Sequence, residues 1–183
     1  MEAKKIIVTF LVTFFLTSGY GQVNSRKEQR EKNRIEKQHQ IDTLIKSRVF
    51  VFVASRALPQ GGNTIDLTTN SNFLKFRPDK IESYLPFFGR AYSIDYGGDG
   101  GIKFEGKPQE YKVVTKKEGK GFEINVTVSV TRDNYKLLLI VGPDGNAFLT
   151  INSNQRSTIS YNGNVMKIEE RDDNQAEGKK QNK

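Results

Sequence analysis

The chain has 183 residues and a formal net charge of +8, from 29 Lys and Arg against 21 Asp and Glu. It holds no Cys, no Trp and a single His, which excludes a disulfide framework, a Cys-based zinc site, a thiol nucleophile and a multi-His metal centre. Hydrophobic residues make up 36%, a low share that fits one domain carrying polar appendages.

Lys4 and Lys5 form a short basic start, and Ile6 to Leu16 is an apolar run of eleven residues. A bilayer span needs about 20 residues, so the run has the size of a signal-peptide core. Gly19 and Gly21 are small and two apart, as the positions before a signal-peptidase cut require. The expectation is a signal peptide over 1–21, with Gln22 as the first mature residue. An uncleaved anchor is the alternative. No Cys stands at the cleavage site, so the exported chain is not a lipoprotein, and no integral membrane span remains once the signal is removed. The expected location is the periplasm or the extracellular space. A domain without disulfides in such a compartment depends on its core, and a mature length of 162 residues is enough to form one.

Residues 22–46 are polar, dense in both charges and free of Pro and Gly. Their Glu, Lys, Arg and Gln favour helix, and Glu28–Lys32 is a favourable i,i+4 pair. Apolar positions are few, chiefly Ile35, Ile41, Leu44 and Ile45. The spacing predicts a basic, coil-prone helix whose first half is solvated and whose second half, from Ile35, carries a docking stripe. Residues 22–48 carry eight basic and four acidic side chains, the denser positive field of the molecule.

Residues 47–168 read as a β-domain. Phe122, Ile124, Val126, Val128 and Val130 alternate with Glu123, Asn125, Thr127 and Ser129, the period of a half-buried strand. Tyr135 to Val141 is nearly all apolar and predicts a strand covered on both faces. Further strands are expected over 48–54, 64–67, 73–77, 147–152, 157–161 and 165–169. Turn chemistry marks 117–121, Asp133-Asn134, 142–146 and the dipeptide Asn162-Gly163. The spacing implies an antiparallel meander with no βαβ unit. Residues 169–183 lack large apolar side chains and are expected to be a disordered tail. The fold class is therefore α+β: an N-terminal helix followed by a curved antiparallel sheet of about eight strands, a half-barrel or small sandwich.

The most distinctive stretch runs from Ser83 to Tyr92, SYLPFFGRAY, and leads through Tyr96 into Gly97-Gly98-Asp99-Gly100-Gly101 and Ile102-Lys103-Phe104. With the later Arg156, Ile159, Tyr161 and Gly163, and the earlier Phe52, Ala54 and Pro59, this order of motifs resembles an exported family of Bacteroidetes, domain of unknown function family 4251. The resemblance covers roughly residues 35–168, with Phe87 in place of a Tyr. It implies a secreted β-rich domain and carries no activity.

The Leu85–Tyr92 segment has two readings. In one, its aromatics cover a core, Pro86 sets a turn, Gly89 supplies a positive-φ corner, and Arg90 caps a carbonyl or pairs with an acid. In the other it is a binding edge, because aromatics and Arg dominate hot spots. On the second reading Phe87, Phe88, Arg90, Tyr92 and Tyr96 are the candidate ligand-binding residues, with one of Phe87 and Phe88 in the core and the other lining a surface depression. The spacing of Asp95 and Asp99 is not that of a calcium loop, and the glycine run lacks the context of a phosphate cradle. Asp66, Asp79, Glu82, Asp95, Glu105 and Glu110 offer carboxylates without selecting a pair. His39 lies on a polar helix and is expected to be exposed. No catalytic residue, metal ligand or cofactor is assigned. The function expected is a non-enzymatic binding or interaction module of the cell envelope, whose partner is an envelope protein or polymer and not nucleic acid. A carboxylate-based hydrolase and a structural or stress-related periplasmic protein are the alternatives.

Overall fold

In the computed structural model of the protein, residues 20–69, 71–92, 100–116, 121–131 and 133–169 are described, with side chains from Arg26 onward. The expected signal-peptide core, most of the tail, the loop holding Tyr96, Asp95 and Asp99, and residues 117–120 lie outside the described residues. The chain divides into two units, residues 1–40 and 41–183.

Helix α1 spans Tyr20–Ser47. In the first unit its described side chains are exposed almost without exception, and they support one another through local pairs. Arg34 meets Glu31 at 2.6 Å, and Gln29 donates to Asn33 at 2.9 Å. Ile35 is 45% exposed, so the apolar stripe begins at Ile41 and not at Ile35. Six residues before Ile41 is not a same-face spacing on an α-helix, whereas Ile41, Leu44 and Ile45 follow i, i+3, i+4.

In the second unit, Ile41 and Ile45 are buried and Leu44 packs against the core. The helix ends with the Ser47 hydroxyl donating to the Leu44 carbonyl at 2.7 Å. Arg48 follows at φ 58°, the left-handed conformation that commonly closes a helix.

Among the described residues ten strands follow: β1 (Phe50–Pro59), β2 (Ile65–Asp66), β3 (Phe73–Phe76), β4 (Ile81–Leu85), β5 (Ile102–Gly106), β6 (Pro108–Thr115), β7 (Phe122–Val130), β8 (Asp133–Val141), β9 (Asn146–Ser153) and β10 (Ile159–Met166). Their order in the sheet is β5-β4-β3-β1-β10-β9-β8-β7-β6, with β2 beside β1, and the strand pairs are antiparallel. The sheet curls into a nearly closed, barrel-like wall. The two strands at the ends of the order, β5 and β6, are consecutive in the chain. Phe104 of β5 stacks on Tyr135 of β8 at 4.3 Å, and a Cβ placed on Gly106 would lie 2.7 Å from the Val128 side chain on β7.

Side-chain alternation fills this barrel. On β7, Phe122, Ile124, Val126 and Val128 are buried, as the sequence predicts. On β1, Phe50, Phe52 and Ala54 face inward, and then a register shift between Ala54 and Arg56 inserts a bulge. The extra residue resets the phase, so that Ala57 also points inward.

Four expectations change. Asn162-Gly163 is not a turn: both residues lie inside β10, with Gly163 opposite Ala54 on β1 and Ala147 on β9. A Cβ at Gly163 would stand 2.1 Å from the Val53 carbonyl oxygen, so the glycine serves the close approach of two strands and not a positive φ. The predicted strands over 157–161 and 165–169 are accordingly one strand. Asp133-Asn134 is not the expected turn either, because both residues already belong to β8 and pair with Val130 and Ser129. On β8, Tyr135, Leu137, Leu139 and Val141 are buried, but Lys136 is exposed and Leu138 and Ile140 are half-buried. That strand is covered fully on one face only. Finally, β4 and β6 lack a clear alternation signal. Ser83 takes the central inward position of β4, its hydroxyl donating to the Ile102 carbonyl at 2.8 Å. Strand β6 is mostly exposed at the end of the strand order.

Candidate functional site

The Leu85–Tyr92 segment leaves the end of β4 and runs to the connection between β9 and β10. Leu85 is buried and ends the strand. Pro86 has no N–H to continue a ladder, and its carbonyl accepts a hydrogen bond from the buried Tyr161 on β10, Oη to O 2.8 Å. The next residues are pinned to the β9–β10 connection. The Arg90 N–H donates to the Ser157 hydroxyl at 3.2 Å. The Arg90 carbonyl accepts from the Ser157 N–H at 2.9 Å, and the Tyr92 N–H donates to the Gln155 carbonyl at 2.7 Å. Ala91 and Arg156 form an isolated antiparallel bridge. The segment is thus a turn-and-bridge element on the barrel rim and not a strand of the wall.

Phe87 and Phe88 are both half-buried and both pack against the core. The expected division of labour, one ring in the core and the other lining a depression, is not what the fold adopts. Both rings rest partly on the core, so these neighbouring positions do not divide between an inner and an outer face as they would along a strand of the wall. Gly89 is not a positive-φ corner either. A Cβ there would lie 2.6 Å from Ser157 Oγ and 2.9 Å from the Phe87 ring, so what the position requires is the lack of a side chain.

Arg90 is exposed, and Tyr92 is 72% exposed. Tyr96 lies outside the described residues. The structure therefore separates the four described candidates: Phe87 and Phe88 support the segment from beneath, and Arg90 and Tyr92 face water.

A cation that supports Phe87 is Arg156, which in the sequence stands out only among the residues that carry the family resemblance. Its guanidinium lies over the Phe87 ring, 5.3 Å from the centroid, and donates to the Gly100 carbonyl. One half-buried side chain thus ties the β9–β10 connection to both sides of the glycine-rich loop. Tyr161 and Tyr135 stand in its field. Burial pushes the Tyr161 phenol above its ordinary value, while the charge of Arg156 acts in the opposite sense. The Tyr135 phenol is pushed up to about 12, first by burial and then by Asp133. Asp133 also accepts from the Ser153 hydroxyl at 2.5 Å and from the Asn154 N–H at 3.0 Å, which holds the start of the connection.

The candidate carboxylates fall elsewhere. Glu82 and Glu105 are direct cross-strand partners on β4 and β5, the one pair from that set brought together among the described residues. Each has its own lysine: Lys75 lies 3.8 Å from Glu82 and Lys80 lies 3.0 Å from Glu105. The arrangement is an ion network on the outer face of the sheet. Asp66 accepts from the Thr68 backbone at 2.9 Å and from its hydroxyl at 2.5 Å, and these hydrogen bonds hold its carboxyl below the ordinary value. Asp79, Glu110 and His39 are exposed.

A further exposed aromatic lies next to the segment. Tyr84 on β4 is 46% exposed. It stacks on Phe73 of β3 at 5.9 Å, with the Lys103 ammonium over its ring at 4.1 Å. Alternation could have revealed it, since Tyr84 stands one residue out of phase with Ser83 and Leu85. Among the described residues no helix is long and apolar enough to cross a membrane.

These features can be set beside known proteins. A family model described as Domain of unknown function (DUF4251) matches residues 32–165. No curated protein matches the chain. The crystal structure of a DUF4251 family protein from Bacteroides eggerthii DSM 20697, at 1.95 Å resolution, aligns with a TM-score of 0.58 and 21% sequence identity. That alignment covers 72% of this chain and 87% of that one, and at such identity it is a likeness of fold. The family is the one that the Leu85–Tyr92 motif and its companions resemble, and its model spans most of the chain: the protein belongs to the DUF4251 family.

Proposed function

We propose that the protein is an exported, non-enzymatic binding module of the cell envelope, and that its contact surface is the barrel rim at Arg90 and Tyr92. The observation that carries this reading is the exposure of Tyr92, 72%, on backbone fixed by hydrogen bonds to Gln155 and Ser157. A large amphipathic ring held out in water by ordered backbone loses little further freedom when a partner covers it. Tyr and Arg are the residue types that carry the most energy at such contacts. Phe87 and Phe88 give the rim its stiffness from below.

Retention of a partner from envelope extract by the purified protein tests the site. Tyr92→Ala and Arg90→Ala are expected to reduce retention strongly and to leave the melting temperature within about 2 °C of the parent, as for exposed substitutions. Retention unchanged in both variants would remove the rim from consideration. Export has its own test. N-terminal sequencing of the protein recovered from outside the cytoplasm is expected to begin at Gln22, and a product still carrying Ile6 to Leu16 would contradict it.

A further inference from the structure

In the first unit, the basic side chains of α1 are not scattered. At about 100° per residue, Arg26, Lys37, Arg30, Arg34 and Lys27 fall within an arc of about 100°, in that angular order. Five of the six basic residues between Arg26 and Gln40 therefore share one face. The three acids of the same stretch, Glu28, Glu31 and Glu36, all lie outside the arc, as do Lys32 and the exposed Ile35. All of these side chains are solvent-exposed. Arg34 gives part of its charge to Glu31, with which it pairs at 2.6 Å. Arg26 and Arg30 flank the row on its N-terminal side, one helical turn apart.

We propose that this face adsorbs to the surface of an anionic phospholipid bilayer. The ladder Arg26, Arg30, Arg34 rises about 6 Å per step, so a flat field of phosphates meets the whole row at once. The helix is about 10–12 Å across, and the Debye length at physiological salt is about 8 Å. Glu28 and Glu36, on the far side, therefore stand about one screening length from a plane touching the basic face, and Glu31, nearer its edge, is engaged by Arg34. A flexible polyanion that wrapped the helix would meet them directly. The only large apolar residue of the stretch, Ile35, is on the far side as well, which makes the contact electrostatic and reversible, without insertion. The inference is independent of the rim site.

The test is co-sedimentation of the full chain with phosphatidylcholine vesicles, with and without phosphatidylglycerol. The apolar run at Ile6 to Leu16 acts on both lipids, so the ratio between them isolates the electrostatic part. The ratio is expected to exceed about 30 at low salt and to fall to about one at about 0.5 M salt. The doubles Arg26→Gln/Arg30→Gln and Glu28→Gln/Glu36→Gln change the net charge by two units in opposite directions, and Gln keeps helix propensity. Circular dichroism checks that the helix persists. The first double is expected to lower the ratio about 30-fold, the loss for two cations at an anionic surface, and the second to change it less than about threefold. Equal and opposite shifts would mean that net charge alone is read, and the proposal would fall. A ratio of one for the parent would overturn it, as would tighter binding to duplex DNA than to anionic vesicles at the same salt.

Discussion

The barrel wall and the barrel rim use similar residues to opposite ends. In β7 and β10 the aromatic and branched side chains alternate, the inward ones are buried, and each strand is held by two neighbours along its length. In Leu85–Tyr92 the aromatics are consecutive, none of Phe87, Phe88 and Tyr92 is fully buried, and the backbone is held by a few hydrogen bonds to one connection. Both regions place a glycine where a Cβ does not fit. At Gly163 the obstacle is a backbone carbonyl, and at Gly89 it is a hydroxyl and a ring edge. The wall is over-determined and the rim is pinned at points. An order that rests on few pins leaves side chains free to face a partner.

The largest expected effect is at Gly163. Its Cβ would stand 2.1 Å from Val53 O, an overlap that only separation of β1 from β10 relieves. Gly163→Ala is expected to cost about 3 kcal/mol or more, read as the shift in urea midpoint. Gly89→Ala, where Ser157 Oγ can rotate away, is expected to cost much less. Equal costs at the two glycines would erase the distinction between wall and rim.

Next comes the core. Leu139 is fully buried, and Leu139→Ala is expected to lose about 3 kcal/mol through lost burial and a residual cavity. Val126→Ala on β7 should lose about 2 kcal/mol. Its outward neighbour Thr127 should tolerate Ala within about 0.5 kcal/mol. If Thr127→Ala proved as damaging as Val126→Ala, the facing of β7 would be wrong.

The rim pin is weaker. Tyr161→Phe removes the bond to Pro86 O but keeps the ring, and is expected to cost about 1 kcal/mol. Hydrogen exchange at the Arg90 and Tyr92 amides should accelerate, while exchange in β7 stays as in the parent. Uniform acceleration would mean that the rim does not open separately.

The last effect appears only at alkaline pH. Tyr111 and Tyr135 are both raised by burial from an ordinary 10 to about 12. The unfolded chain releases these protons first. Their contribution is complete below about pH 10 and is lost as pH rises towards about 12. Stability measured by denaturant titration should fall across that window, and less steeply in Tyr135→Phe. A flat profile would contradict the burial of both phenols.

Much of the wall is legible in the sequence because burial on one face of a strand imposes a period of two. Phe122 to Val128 shows that period without interruption. It fails where a polar residue takes an inward place, as Ser83 does beneath Tyr84, and where exposure at the end of the strand order removes the contrast, as in β6. The Leu85–Tyr92 motif is recognisable as a unit, but the roles inside it are not. Arg156 lies 69 residues from Phe87 in the chain and meets its ring only through the β9–β10 connection. Asn162-Gly163 has the composition of a tight turn, and only the approach of Val53 explains why a glycine sits inside a strand.

By itself, then, the sequence determined the local and periodic properties: a charged helix, alternating strands in an antiparallel order, and the family motif. These depend on neighbours within a few residues, where spacing alone decides which side chains share a face. Tertiary structure decided the closure of the sheet through Phe104 on Tyr135, the shared support of Phe87 by Arg156, and which aromatics face water. Those outcomes depend on pairs far apart in the chain, whose meeting is set by strand curvature and register and leaves no local trace in composition.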